Sequence, residues 1–255
     1  MLMDLLRLLF ACIPVSLAKD PLRFWLLALT GVGLAALGWI VCAIYTRLWN
    51  NQFHLTALHQ VFCVFAGVCT LLFAILFASV LFVEDAANAS IFLWQKQLKA
   101  DSAWSQQTFR KAYNNVKDLG VEDFSNVPAP DAGGNFFPTT YDESRETAAP
   151  TYAQSACDHF SESHRFLSKV VWSSPGVPAD VVFNDVKIWQ QKSPMYPAER
   201  GIELAGEQIR LELAPQTPRL VLITRIVLVV LFLLVQAIPF GLVGWAAFSD
   251  IRARF

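Results

Sequence analysis

The chain has 255 residues, of which 55% are hydrophobic and only 16% charged, with a mean hydropathy of +0.41. An ordinary soluble domain carries about a quarter charged residues, and a core of this size cannot hide 20 Phe and 8 Trp from water, so a simple soluble globule is excluded. With 20 Lys and Arg against 21 Asp and Glu the net charge is −1, which excludes a basic nucleic-acid binder.

Residues 1–23 open the chain with an apolar stretch, 5–18, that contains Arg7 and Pro14. It is too short to span comfortably, and Pro14 disfavours a continuous helix. Three readings fit: a helix lying in the interface, a signal-like segment with Ser16 and Ala18 before Lys19, or a short extra span.

Residues 24–44 run without a charge for about 32 Å at 1.5 Å per residue and are predicted as the first transmembrane helix. Residues 45–60 form a short connection. Residues 61–83 are the second span, ended by Glu84 and Asp85. The third occupies the uncharged run 226–248 within a segment 219–248, with Arg225 at its entrance, and residues 249–255 are a short tail. Trp25, Trp49 and Trp245 stand near span ends, at the level that suits an amphipathic ring.

The fold class is therefore integral membrane and mainly α-helical, with three transmembrane helices and a mostly helical extramembrane domain, 84–218, inserted between the second and third. From Asp85 to Pro218 there are 12 Lys and Arg against 17 Asp and Glu, a charge of −5. A helix continues outward from span two, with a break near Asp101 and Ser102, where an N-cap is available, and an apolar stripe through Leu98, Trp104, Phe109, Tyr113, Val116 and Leu119. Residues 120–152 hold four prolines and a Gly-Gly pair and are expected to form a long loop. A second helix follows from Thr151 to Trp172. Residues 180–191 fit either a short helix or a β-hairpin about Asn184 and Asp185, and Ile202, Ala205, Ile209 and Leu213 mark a last amphipathic helix.

Short flanking segments place Arg7, Lys19 and Arg23 on one side of the membrane and Arg47, Arg252 and Arg254 on the other, a tie. The acidic edge at Glu84 and Asp85 tilts the expectation toward a domain outside the cytoplasm, on a bacterial inner membrane. Cys157 is the domain's only cysteine, so no disulfide forms within it.

Chemical motifs are sparse. Cys157, His159 and His164 do not converge on a helix, and His54 and His59 have the wrong spacing for two ligands on one face, so no metal is expected. No Walker loop, dinucleotide fingerprint, nucleophile elbow or HExxH occurs, so neither an enzyme activity nor a cofactor is expected. No ionisable residue lies in the core of a span, which argues against an autonomous pump.

Within the spans, Gly31, Ala35, Gly38 and Gly241 are candidate packing positions, together with Gln236 and Pro239. The Gln236 amide bonds either a neighbouring helix or a carbonyl freed by Pro239. In the long loop, Phe124, Phe136, Phe137 and Tyr141 are candidate partner contacts.

The expected function is that of a non-catalytic membrane subunit or scaffold of an envelope assembly of secretion, conjugation or motor type. The expected partners are membrane lipid and other subunits or further copies of the chain, with a small ligand left open and no nucleic acid. The alternatives are a sensor with a pocket lined by His164, Trp172 and Trp189, and a pore-forming effector.

Overall fold

The computed structural model describes residues 2–49, 55–117, 135–138, 142–171 and 176–253. Among these are the helices α1 (Leu2–Lys19), α2 (Pro21–Trp49), α3 (Ala57–Ser79), α4 (Val83–Ala100), α5 (Ser102–Lys117), α6 (Asp142–Ser163), α7 (Arg165–Val171), α8 (Ala179–Gln190) and α9 (Glu199–Ala253). A single 3₁₀ turn, Val80–Phe82, joins α3 to α4, and two short strands, β1 (Phe136–Pro138) and β2 (Met195–Pro197), complete the set. The chain divides into two compact units. The first holds Met1–Leu5 and Ala87–Thr217, the second Leu6–Ala86 and Pro218–Phe255.

Three helical stretches are long and apolar enough to cross a membrane, lying in Pro21–Tyr45, Ala57–Ala100 and Glu199–Ala253. Only 11%, 22% and 22% of their most apolar windows are buried inside the protein. Leu29, Leu72, Leu233 and Leu234 thus point outward, an arrangement that water penalises and hydrocarbon does not. This is the surface of a helical membrane protein.

Within the second unit α2 and α3 run antiparallel, since Gly31 meets Leu71, Gly67 meets the Ala35 carbonyl, and Cys42 packs with Cys63. The span of α9 lies along both: Val243 joins Cys42 and Cys63, and the rings of Tyr45 and Phe240 meet edge to face at 5.5 Å. His59 closes a capping box with Thr56 at the start of α3.

Helix α1 corrects the expectation drawn from Pro14, because it runs through that residue. An interior proline costs about 3 kcal/mol, which the burial of Leu8, Leu9, Cys12 and Ser16 along one face offsets. Its end is tied down by Lys19, whose Nζ lies 2.6 Å from Asp85 Oδ1. The opposite face leaves Met3, Phe10 and Leu17 exposed, with Arg7 among them.

The first unit is built on α4, α5, α6, α8 and the opening turns of α9. Asp101 breaks the helix that leaves α3, its Oδ1 accepting the Trp104 N–H at 3.0 Å as an N-cap does. Helix α6 begins nine residues before the expected Thr151 and passes through Pro150, driven by a face on which Ala148, Ala149, Tyr152, Ala153, Ala156 and Phe160 are buried. It ends at Ser163, short of the expected Trp172, although the i→i−4 bonds His164 N–H to Phe160 O and Ser168 N–H to His164 O carry the chain into α7.

Residues 180–190 are helical and Gln191 caps them. Val182 and Val186, four apart, are buried in α8, and Ile188 is exposed, a period that a strand cannot give. On α9, Ile202, Ala205, Ile209 and Leu213 are all fully buried. No break separates them from span three, for α9 is continuous through Pro215, Pro218 and Pro239.

Candidate functional site

The expected contact aromatics divide into two groups. Phe124 and Tyr141 lie outside the described residues. Phe136 and Phe137 form β1, which pairs antiparallel with β2 in the register Phe137 to Tyr196. Alternate strand side chains face opposite ways, so Phe137 and Tyr196 turn inward together. Phe137 is 2% exposed, its ring 4.9 Å from Phe109 and 6.0 Å from Tyr152, so it is a core residue and corrects the expectation of a loop contact. Phe136 is half-buried.

Of the residues proposed for a sensor pocket, Trp189 and His164 are engaged locally. Trp189 Nε1 donates to the Met195 carbonyl at 2.8 Å, and His164 stacks on Phe160 with centroids 4.7 Å apart. Trp172 lies outside the described residues. His159 accepts a hydrogen bond from Trp94 Nε1 at 3.1 Å, while the Cys157 thiol is buried and pushed up to about 12, chiefly by desolvation, which makes it a poor nucleophile.

In the first unit the charged side chains form a clamp. Asp185 on α8 accepts from Tyr196 Oη of β2 at 2.7 Å and from Arg200 Nη2 of α9 at 2.7 Å. Arg200 also bonds Glu203, which in turn receives Lys99 Nζ of α4 at 2.5 Å. Gln95 Nε2 reaches the carbonyls of Ile202 and Glu203 at 3.1 and 3.2 Å, and its Oε1 accepts from Arg210 at 2.7 Å.

Burial draws the Asp185 carboxyl upward, but the Arg200 and Tyr196 bonds outweigh it and hold it below the usual range. Glu203 is held low in the same way, by Lys99 and Arg200 against its burial. Burial and the adjacent Asp185 push Tyr196 up. A carboxylate kept ionised and a phenol kept neutral suit an ion-pair fastening and not proton transfer near neutral pH.

In the second unit the polar residues converge on Thr70. Gln236 Nε2 of α9 donates to Thr70 Oγ1 at 3.0 Å and to the Ala66 carbonyl at 2.9 Å, while Thr70 Oγ1 donates to that carbonyl at 2.8 Å. The amide therefore bonds a neighbouring helix, and its Oε1 is buried without a partner. Gly38 lies against Thr70, Ala35 against Gly67 and Gly31 against Leu71, and Pro239 is buried. Gly241 departs from the expected packing role, since it faces open space.

Thr70 also lines a cavity of about 550 Å³ formed by α2, α3 and α9, with Leu34, Phe73, Phe77, Leu228 and Phe232 on its walls and Arg225 at its edge. The Arg225 guanidinium lies 5.6 Å from the Phe77 ring centroid. Its Nε is buried without an acceptor. The sequence shows Arg225 only as a charge before a span. Its place beside Phe77, and the part played by Thr70, depend on helix register that hydropathy does not carry. No protein family, curated protein or solved structure matches the chain.

Proposed function

We propose that the protein is a non-catalytic integral membrane subunit that docks other proteins of a bacterial envelope assembly, of secretion, conjugation or motor type, through residues 84–218 held outside the cytoplasm. The observation that carries the reading is an apolar stripe on α4, where Phe92 and Leu93 are 59% and 55% exposed beside exposed Ala89 and Lys96. A helix that buries Ile91, Trp94 and Leu98 on one face has no need of large apolar groups on the other unless something covers them. The clamp about Arg200 supports the same reading, since its carboxylates are committed to ion pairs.

The test compares wild type with Phe92→Ser/Leu93→Ser after gentle-detergent purification, with quantitative identification of the proteins that co-purify. Selective loss of specific partners at unchanged thermal stability is expected. Unchanged recovery of every partner would remove α4 as the docking face and with it the main support for this reading.

A further inference from the structure

We infer that the cavity between α2, α3 and α9 is a binding site for one anionic phospholipid, its acyl chain lying in the cavity and its phosphate on Arg225. At about 550 Å³ the cavity falls within the roughly 300–1,000 Å³ of small-molecule sites. Its walls are apolar except for Thr30, Thr70 and Arg225, and the Thr30 hydroxyl is already turned to the Leu27 carbonyl. Leu34, Phe77, Leu81 and Val229 on its rim are 43–49% exposed, so it opens on the apolar outer surface, where the available ligand is lipid.

Charge selects which lipid. Among the described residues Arg225 has no carboxylate partner, only the face of Phe77, and its Nε is buried with nothing to accept the proton. Arg225 stands at the entrance of the third span, the level at which lipid headgroups lie. A planar cation at that depth needs an anion brought from the bilayer, and a phosphate fits its fork in a bidentate manner. The inference stands apart from the docking role, since every residue lining the cavity belongs to the second unit.

The full-length protein in neutral detergent is offered equimolar phosphatidylglycerol and phosphatidylcholine and examined by native mass spectrometry, with thermal unfolding in each lipid. Phosphatidylglycerol should be retained about tenfold over phosphatidylcholine and should raise the unfolding temperature more. Arg225→Gln should lose that preference, and Val229→Trp, which fills the cavity from its exposed rim, should lower retention of both lipids. Equal retention and equal stabilisation by the two lipids in wild type would overturn the proposal without any variant. So would a preference that survives Arg225→Gln, or stabilisation by inorganic phosphate alone that matches phosphatidylglycerol.

Discussion

A methyl group built on Gly38 would stand 2.7 Å from Thr70 Oγ1, whereas one on Gly241 meets nothing within 4 Å. Thr70 has no freedom to retreat, because its hydroxyl donates to the Ala66 carbonyl and accepts from Gln236. Gly38→Ala should therefore destabilise by about 1–3 kcal/mol, the ordinary cost of overpacking. Gly241→Ala should be neutral or slightly stabilising, since Ala exceeds Gly in helix propensity by up to about 1 kcal/mol. Thermal unfolding of both variants in one detergent decides the matter, and equal losses would mean that the α2–α3 contact is not where the space is tight. The small-xxx-small spacing of Gly31 and Ala35 is visible in the sequence, as is the lone amide of Gln236. Which face of each helix is turned inward is not, because a run apolar all round carries no angular signal. Thr70 gives no signal either: a hydroxyl that bonds its own i−4 carbonyl is ordinary in any membrane helix.

At the scale of elements, the Asp185–Arg200–Glu203–Lys99 chain joins α8, α9 and α4, and Tyr196 adds β2. Both carboxyls are held below their usual range in the fold, so the stability they contribute is fully present above the unfolded values near about pH 4. It is lost as the pH falls through the lowered folded values. Asp185→Asn, which keeps an acceptor for Tyr196 but removes the charge facing Arg200, should cost about 2 kcal/mol at neutral pH. The gap from wild type should close as the pH falls through the lowered folded value of Asp185, where the wild-type carboxyl also becomes neutral. Unfolding of the two proteins across that range is the measurement, and a gap independent of pH would assign the loss to packing. Of the bonded pairs in the clamp only Arg200 and Glu203 are near each other in sequence, so the clamp was not legible in the residues. Elements with a clear 3.6-residue period were: the Asp101 cap and the buried face of α9 stand where the residues indicate. The structure departs from the sequence pattern at proline, which disfavours a helix without forbidding it. Pro14 and Pro150 sit inside helices whose buried faces outweigh one missing hydrogen bond, and the proline-rich stretch that suggested only loop contains β1.

For the whole molecule, hydropathy alone reveals three spans, but the side of the membrane that residues 84–218 occupy turns on a tie in Lys and Arg between the short segments. The proposed orientation, with residues 84–218 outside, rests on the acidic edge at Glu84 and Asp85 that follows span two. Cys157 is buried and cannot report the side. Lys187 is exposed on α8, so Lys187→Cys gives an accessible thiol. The remaining cysteines are buried or half-buried, and the variant without Lys187→Cys supplies the background. An impermeant maleimide should label Lys187→Cys on intact cells as fully as after lysis. Labelling that appears only on lysis would turn the chain over, put residues 84–218 in the cytoplasm, and move the docking partners of α4 to that compartment.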